Sequence, residues 1–256
     1  MGISAQINLA PSDYKIARLC LEHELARLHP FVDEIVLTNE TRPGFGRFSA
    51  NWEIGAAEMA KIYAEMMAKY PKVRRVNISY ADSDRAAVAR YFGQRALFPL
   101  RDYRGGPFYA YFFGLYSCAN DVIFHMDSDM LFGGDAGPWF EQALRELEDP
   151  DTFAVSPLPG PPTADGSLKQ PAISADPVKR RYTFKHFSTR VFMMDRRKLL
   201  AQQFAVRPKP AGIVQGVACG HPAFNLPERT INGRLARGAA QRVDFAGEGT
   251  FWSLHP

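Results

Sequence analysis

Short apolar runs alternate with helical patterns through the first half of the chain, and this alternation limits the fold more than any other feature. Four runs have the length and composition of β-strands: 5–10, 34–38, 73–78 and 122–126. Helical patterns lie between them, at about 12–29, 52–70, 84–92 and 106–118. Repeated strand–helix units of this length predict an α/β fold with a mostly parallel central sheet and helices on both faces.

The first helical pattern also predicts its own ends and its buried face. Ser12 or Asp13 is suited to cap the N-terminus of this helix, which should run to about His29. Five residues are expected to share its buried face: Ile16, Leu19, Cys20, Leu25 and Leu28.

The second half of the chain is less regular. Its predicted elements are strands at 153–155 and 190–194, a helix at about 228–237 and a strand near Val243. The Pro/Gly-rich segment 157–177 predicts a loop or lid, and 208–222 is similarly rich in Gly and Pro. No internal repeat or clean linker divides the chain, so a single domain over residues 1–256 is predicted.

Composition excludes several classes of protein. The chain has 256 residues, of which 46% are hydrophobic and 23% charged, as in an ordinary globular protein. The net charge is +4, but the charges are interspersed, so nucleic acid is not indicated as a partner. The densest basic run, Lys179–Arg181, leaves open a peripheral association with the inner face of a membrane. The cysteines, Cys20, Cys118 and Cys219, form neither a disulfide framework nor a zinc motif, which predicts a cytoplasmic protein.

The strongest chemical signal is a pair of aspartates, Asp127 and Asp129, directly after the apolar strand 122–126. The carboxyl ends of parallel strands are where open α/β sheets bind their ligands. Two carboxylates there can bind Mn²⁺ or Mg²⁺, and the cation can neutralise a diphosphate leaving group. The alternative reading is that the aspartates only stabilise a turn before Leu131.

The segment 104–134 resembles the donor-binding core of family 2 glycosyltransferases and their GT-A relatives. In that family a small-residue helix leads through a turn into a strand that ends in Asp-x-Asp. The matching residues here are Gly106, Ala110, Gly114, Leu115 and the pair Asp127 and Asp129. Tyr111 and Phe112 depart from the pattern, because the family usually has Arg and Asn at these positions.

The resemblance implies a GT-A fold in which about 1–135 bind a nucleotide sugar and about 136–256 bind the acceptor. The residues implied at the donor site are Ala10, Pro11, Tyr14, Asn39, Glu40, Arg101, Arg104, Gly106 and Ser128. Arg101 or Arg104 would replace the phosphate contacts of the missing family arginine. For Gly114, packing of its helix against the sheet is the preferred explanation.

The same resemblance implies functions for two residues near the C-terminus. Glu228, after Pro227, would be the general base of an inverting transfer, although negative charge in a first helical turn explains it equally well. His255 would complete the metal site, and a neutral imidazole suits Mn²⁺ better than Mg²⁺.

The function implied is metal-dependent glycosyl transfer, in carbohydrate biosynthesis, from a nucleotide-sugar donor to a saccharide, lipid-linked or protein acceptor. A catalytically silent nucleotide- or sugar-binding protein on the same fold is the alternative. A sugar nucleotidyltransferase is disfavoured because a Gly-rich phosphate loop is missing after the first strand. A haloacid dehalogenase phosphatase is disfavoured because its Asp-x-Asp lies near the N-terminus.

Overall fold

The computed structural model describes residues 2–44, 49, 51–160, 168, 171–201, 206, 208, 214, 223–235 and 240–255. The strands β1 to β11 are Ile3–Leu9, Glu34–Asn39, Val73–Asn77, Val122–Asp127, Leu131–Gly133, Thr152–Pro159, Ser174–Asp176, Arg181–Phe184, Val191–Asp195, Gln241–Phe245 and Trp252–Leu254. The described α-helices, α1 to α7, are Tyr14–Leu28, Trp52–Lys69, Asp82–Tyr91, Tyr109–Tyr116, Ala136–Glu148, Arg196–Ala201 and Pro227–Leu235. A 3-10 turn over Pro11–Asp13 leads into α1.

The strands form an 11-stranded sheet with the order β3-β2-β1-β4-β9-β6-β10-β8-β7, while β11 pairs with β5 and β6. The first four strands in this order are parallel. Strand β9 is antiparallel to both β4 and β6, and β10 is parallel to β6. The predicted α/β fold is confirmed, and its predicted parallel strands are β1 to β4. The antiparallel strands come from the second half of the chain, where the pattern is irregular.

Alternate residues of the parallel strands enter two apolar layers, one on each face of the sheet. On one face α1, α2 and α5 cover residues such as Ile35 and Phe124. On the other face α3 and α4 cover residues such as Val36 and Ile123. Helices therefore protect both faces, as a parallel sheet requires.

A polar chain runs under α4 within the second apolar layer. Thr38 and Gln6 both donate hydrogen bonds to Asn8 Oδ1, at 3.0 and 2.8 Å, and Gln6 Oε1 contacts His125 Nδ1. Gly114 lies directly on this chain, since a Cβ atom there would approach Gln6 Nε2 to 2.5 Å. The expected packing role of Gly114 is therefore confirmed, and the glycine lets the helix approach buried polar groups.

The structure corrects two predictions from the sequence pattern and adds a helix that the pattern did not predict. Leu19 is 77% exposed and lies off the buried face of α1, which is formed by Ala17, Cys20, Leu21, Glu24, Leu25 and Leu28. The segment 157–177 is not entirely a loop, because β6 continues to Pro159 and β7 lies within it. Helix α5 was not predicted, although it carries a buried apolar face. Most of the segment 208–222 lies outside the described residues.

In the described part of the chain, no helix combines the length and apolar character needed to cross a bilayer.

Replacement of two leucines on the same helix tests this assignment of faces. Leu25 is fully buried, so we expect Leu25→Ala to lower the free energy of unfolding by about 2–5 kcal/mol. Leu19→Ala should change it by less than about 0.5 kcal/mol, because Leu19 is exposed. Urea denaturation followed by circular dichroism measures both, and similar losses in the two variants would contradict the assignment.

Candidate active site

Asp127 ends strand β4 at the carboxyl edge of the parallel sheet. Its strand pairs with β1, which places Asp127 beside Asn8. The Asp127 N–H donates to the Arg190 carbonyl at 2.8 Å, so the β4–β9 pairing continues to this residue. Asp129 follows two residues later, and Ser128 between them is buried. The two aspartates therefore lie where the fold is expected to bind a ligand.

His255 reaches the aspartates because the end of the chain forms a strand beside them. Strand β11 is antiparallel to β5, which begins two residues after Asp129. Gly134 makes this close approach possible: its φ is +77°, and a Cβ atom there would lie 2.2 Å from the Thr250 carbonyl. His255 Nε2 is thereby 3.1 Å from Asp129 Oδ2. The sequence prediction that these two residues lie together is consistent with this geometry.

The site collects negative charge. Burial raises the pKa of Asp127 to about 7; Asp129, Asp13 and Glu228 add to the rise, and Arg190 opposes it. Burial likewise raises the pKa of Asp13, and the charge of Asp129 adds to that rise. A carboxylate with such neighbours is stabilised either by a proton or by a cation.

Glu24 is a buried acid beneath Asp127 and Asp129, and the sequence pattern did not identify it as part of the site. It lies on the core-facing side of α1, is fully buried, and its Oε1 accepts a hydrogen bond from the Met130 N–H at 3.0 Å. Burial raises its pKa well above the usual range, with Asp129 and Asp127 adding to the effect. Glu24 thus connects α1 to the residue after Asp129. Its position in an otherwise apolar helix face is the signal that could have identified it.

Asp129 has an oxygen that a cation could contact, although the described residues contain no cluster of three or more His, Cys, Asp or Glu side chains arranged to hold a metal. Asp129 Oδ1 is buried and has no hydrogen-bond partner within the described residues. Together with His255, Asp129 provides one oxygen and one nitrogen donor. Such a pair suits Mn²⁺ better than Mg²⁺, and a ligand's phosphate oxygens could complete the coordination.

Glu228 lies in the first turn of α7. Its Oε2 accepts a hydrogen bond from the Thr189 N–H at 3.3 Å. Its charge acts on Asp127 and on Tyr111, so the three side chains share one region of the site. This position is compatible with the predicted role as a base, which stays a prediction.

Tyr111 occupies the position at which the family usually has arginine. Its hydroxyl is buried and has no hydrogen-bond partner within the described part of the chain. Burial raises its pKa well above the usual range, and the charges of Asp127 and Glu228 contribute. The neighbouring Phe112 stacks on Phe98 with ring centroids 4.4 Å apart and belongs to the core. The phenol of Tyr111 is therefore neutral and brings no positive charge to the site.

The predicted base and ribose contacts border a cleft at the carboxyl ends of β1 and β2. The cleft has a volume of about 250 Å³, and its lining includes Pro11, Asn39, Glu40, Trp52 and Arg75. The Asn39 side chain donates to Asn77 Oδ1 at 2.8 Å, which holds it across to β3. The fold thus brings several residues of the predicted donor site to one cleft.

Ala10 and Tyr14, two more residues of the predicted donor site, lie on either side of the 3-10 turn. Ala10 directly precedes the 3-10 turn, and its N–H donates a hydrogen bond to Asp13 Oδ2 at 2.9 Å. Tyr14, the first residue of α1, is half-buried against the apolar layer that α1 covers. Their contacts with a nucleotide stay predictions.

The two arginines predicted to contact phosphate have other partners. Arg101 is buried and forms an ion pair with Glu40 at 3.1 Å, and it also donates to the Arg42 carbonyl at 2.8 Å. Arg104 lies along the Tyr103 ring and donates to its hydroxyl at 2.9 Å. Gly106 donates its N–H to Asp102 at 3.1 Å. These contacts organise the loop before α4, and a phosphate-binding role for these residues stays a prediction.

Comparison with solved structures finds several proteins to which the chain is similar. The chain is similar to TarS of S. aureus, a GT-A glycosyltransferase, at 9% identity and a TM-score of 0.54, over 98% of this chain and 36% of TarS. It is also similar to the galactosyltransferase LgtC, at 12% identity and a TM-score of 0.42, over 91% of this chain and 70% of that protein. A Bacillus anthracis protein described as a glucose-1-phosphate thymidylyltransferase matches at 10% identity and a TM-score of 0.45, over 98% and 89% of the two chains.

No protein-family model matches the chain, and no curated protein does. The assignment of fold rests on TarS, which has the highest TM-score of the three, and the chain spans about a third of TarS. The resemblance seen in the sequence is confirmed at the level of fold: the chain has the fold of the GT-A glycosyltransferases.

Proposed function

We propose that the chain is a metal-dependent glycosyltransferase that uses a nucleoside diphosphate sugar as donor. The observation that carries the proposal is the convergence of Asp127, Asp129 and His255 at the carboxyl edge of the parallel sheet. The GT-A fold supports it, because this edge is the ligand-binding edge of open α/β sheets.

Asp129 and His255 would hold a divalent cation directly, and Asp127, at the end of β4, would hold it through a bound water. When bound, the cation neutralises the charge that develops on the diphosphate as the glycosidic bond breaks. Glu24 positions this segment by accepting the Met130 N–H. The cleft lined by Pro11, Asn39 and Trp52 is the proposed place of the nucleoside, and it opens at the same edge of the sheet.

Glu228 is the proposed general base of an inverting transfer. It would accept the proton of the acceptor hydroxyl while that oxygen attacks the anomeric carbon. The proximity of Glu228 to Asp127, which their electrostatic interaction reveals, supports this assignment. The acceptor is proposed to be a saccharide, a lipid-linked sugar or a protein.

A catalytically silent binding protein is the second candidate, and one feature favours it. Tyr111 and Phe112 are both buried at the positions of the family's Arg and Asn. Metal-dependent binding of a nucleotide sugar, without release of the nucleoside diphosphate for any acceptor, would support this candidate instead.

Loss of the two carboxylates tests the proposed donor site. We expect one of the UDP-, GDP- or dTDP-sugars to raise the melting temperature of the wild type only when Mn²⁺ is present, because a ligand of the native state stabilises it. The double variant Asp127→Asn, Asp129→Asn should lose this rise. Thermal denaturation measures the effect, and Asp151→Asn, the same change at an exposed position, is the matched control. Wild-type donor affinity in the double variant would contradict the proposal.

The raised pKa of Asp127 predicts a pH dependence. The folded state binds the Asp127 proton more tightly than the unfolded state, so this residue's contribution to stability is full at low pH. It is lost as the pH rises from the ordinary value of 3.8 to about 7. The metal-free wild type should therefore lose stability over this range relative to the Asp127→Asn variant, while the affinity for Mn²⁺ should rise, since ligands bind deprotonated.

Urea denaturation and Mn²⁺ titration at several pH values between about 4 and 8 provide the measurements, because this range covers the shift in the pKa of Asp127. The Asp127→Asn variant should lose this part of the pH dependence of stability. An identical pH profile in wild type and variant would show that Asp127 does not titrate in this range.

A further inference from the structure

Arg190 lies directly across the sheet from Asp127. The antiparallel register of β4 and β9 pairs Met126 with Val191, and the hydrogen bond from the Asp127 N–H to the Arg190 carbonyl continues that register by one residue. Directly opposite residues of an antiparallel pair project from the same face of the sheet. The side chains of Arg190 and Asp127 are therefore neighbours at the edge where the aspartates lie.

Arg190 is an exposed residue. Within the described ranges, its side chain forms no ion pair or hydrogen bond, and only the backbone of Arg190 has partners. Its charge acts on Asp127, where it opposes the effects of burial and of the nearby acids. Arg190 is thus a cation beside a cluster of carboxylates, and its side-chain N–H groups donate no hydrogen bonds to them.

Arg101 and Arg104, the two arginines predicted to contact phosphate, bind other groups of the protein. Arg101 is buried with Glu40, and Arg104 lies along Tyr103. Tyr111, at the position of the family's arginine, brings a neutral phenol. A diphosphate brought to Asp127 and Asp129 would thus meet several negative groups, and among the described residues Arg190 is a cation beside them that has free donors.

We propose that Arg190 is the diphosphate-binding residue of this site. It lies across the strand pair from Asp127 and supplies the positive charge that Tyr111 does not. This inference rests on the proposed function. Guanidinium presents paired N–H donors that match two phosphate oxygens and carries a fixed positive charge. The divalent cation would contact the diphosphate from the side of Asp129 and His255, and Arg190 would contact it from the side of β9.

Calorimetric titration with pyrophosphate in the presence of Mn²⁺ tests the inference, because this probe contains neither base nor sugar. We expect Arg190→Ala to weaken pyrophosphate binding by about tenfold or more, since it removes charge-assisted hydrogen bonds. Arg190→Lys should weaken it less, because the charge remains but the paired geometry is lost. Arg90→Ala, the loss of an exposed arginine on α3, should leave it unchanged.

Titration with Mn²⁺ alone separates diphosphate binding from a structural role. Loss of the positive charge at position 190 should leave Mn²⁺ affinity unchanged or raise it, because the aspartates then meet less positive charge. Weaker pyrophosphate binding together with an unchanged or higher Mn²⁺ affinity would support the inference. Parallel losses of both affinities, with a lower melting temperature, would overturn it in favour of a structural role.

Two further outcomes are distinguishable. Wild-type pyrophosphate affinity in Arg190→Ala, with binding still lost in the Asp127→Asn, Asp129→Asn variant, would overturn the role of Arg190 and leave the proposed function standing. No binding of pyrophosphate to the wild type at saturating Mn²⁺ would overturn both.

Discussion

The structure depends on the placement of several carboxylates at one partly buried edge of a sheet. Asp127 and Asp129 lie there with Asp13 nearby, while Glu24 lies beneath them and Glu228 faces them. Burial and mutual repulsion disfavour so many negative charges, as the raised pKa of Asp127 indicates. A protein that maintains such a cluster requires a proton or a cation to balance it. The proposed metal, and the role proposed for Arg190, both follow from this requirement.

The surrounding fold holds the cluster in place through contacts that are distant in sequence. Strand β11 brings His255 to Asp129 by pairing with β5, and Gly134 permits the backbones to approach. Glu24 fixes the segment after Asp129 from the side of α1. On the other face, Gly114 lets α4 lie directly on the polar chain of Gln6 and His125. The geometry of the site thus depends on both layers of the fold.

The sequence predicted the parts of the structure that have local causes. Apolar runs located β1 to β4 to within one or two residues, and the ends of these strands located Asp127 and Asp129. The antiparallel position of β9 could not be read from the chain, because the register of distant strands leaves no local pattern, and Arg190 was missed for that reason. Leu19 was misplaced because the buried face of α1 is built around Ala17, Leu21 and the polar Glu24.

X-ray diffraction at the manganese absorption edge would locate the metal, on crystals grown with Mn²⁺ and the nucleoside diphosphate that stabilises the protein. We expect an anomalous peak within about 2.0–2.3 Å of Asp129 Oδ1 or Oδ2 and of His255 Nε2, in contact with the diphosphate. A nucleotide bound at the carboxyl edge of the sheet with no ion near Asp129, or an ion elsewhere on the protein, would contradict the proposed metal site.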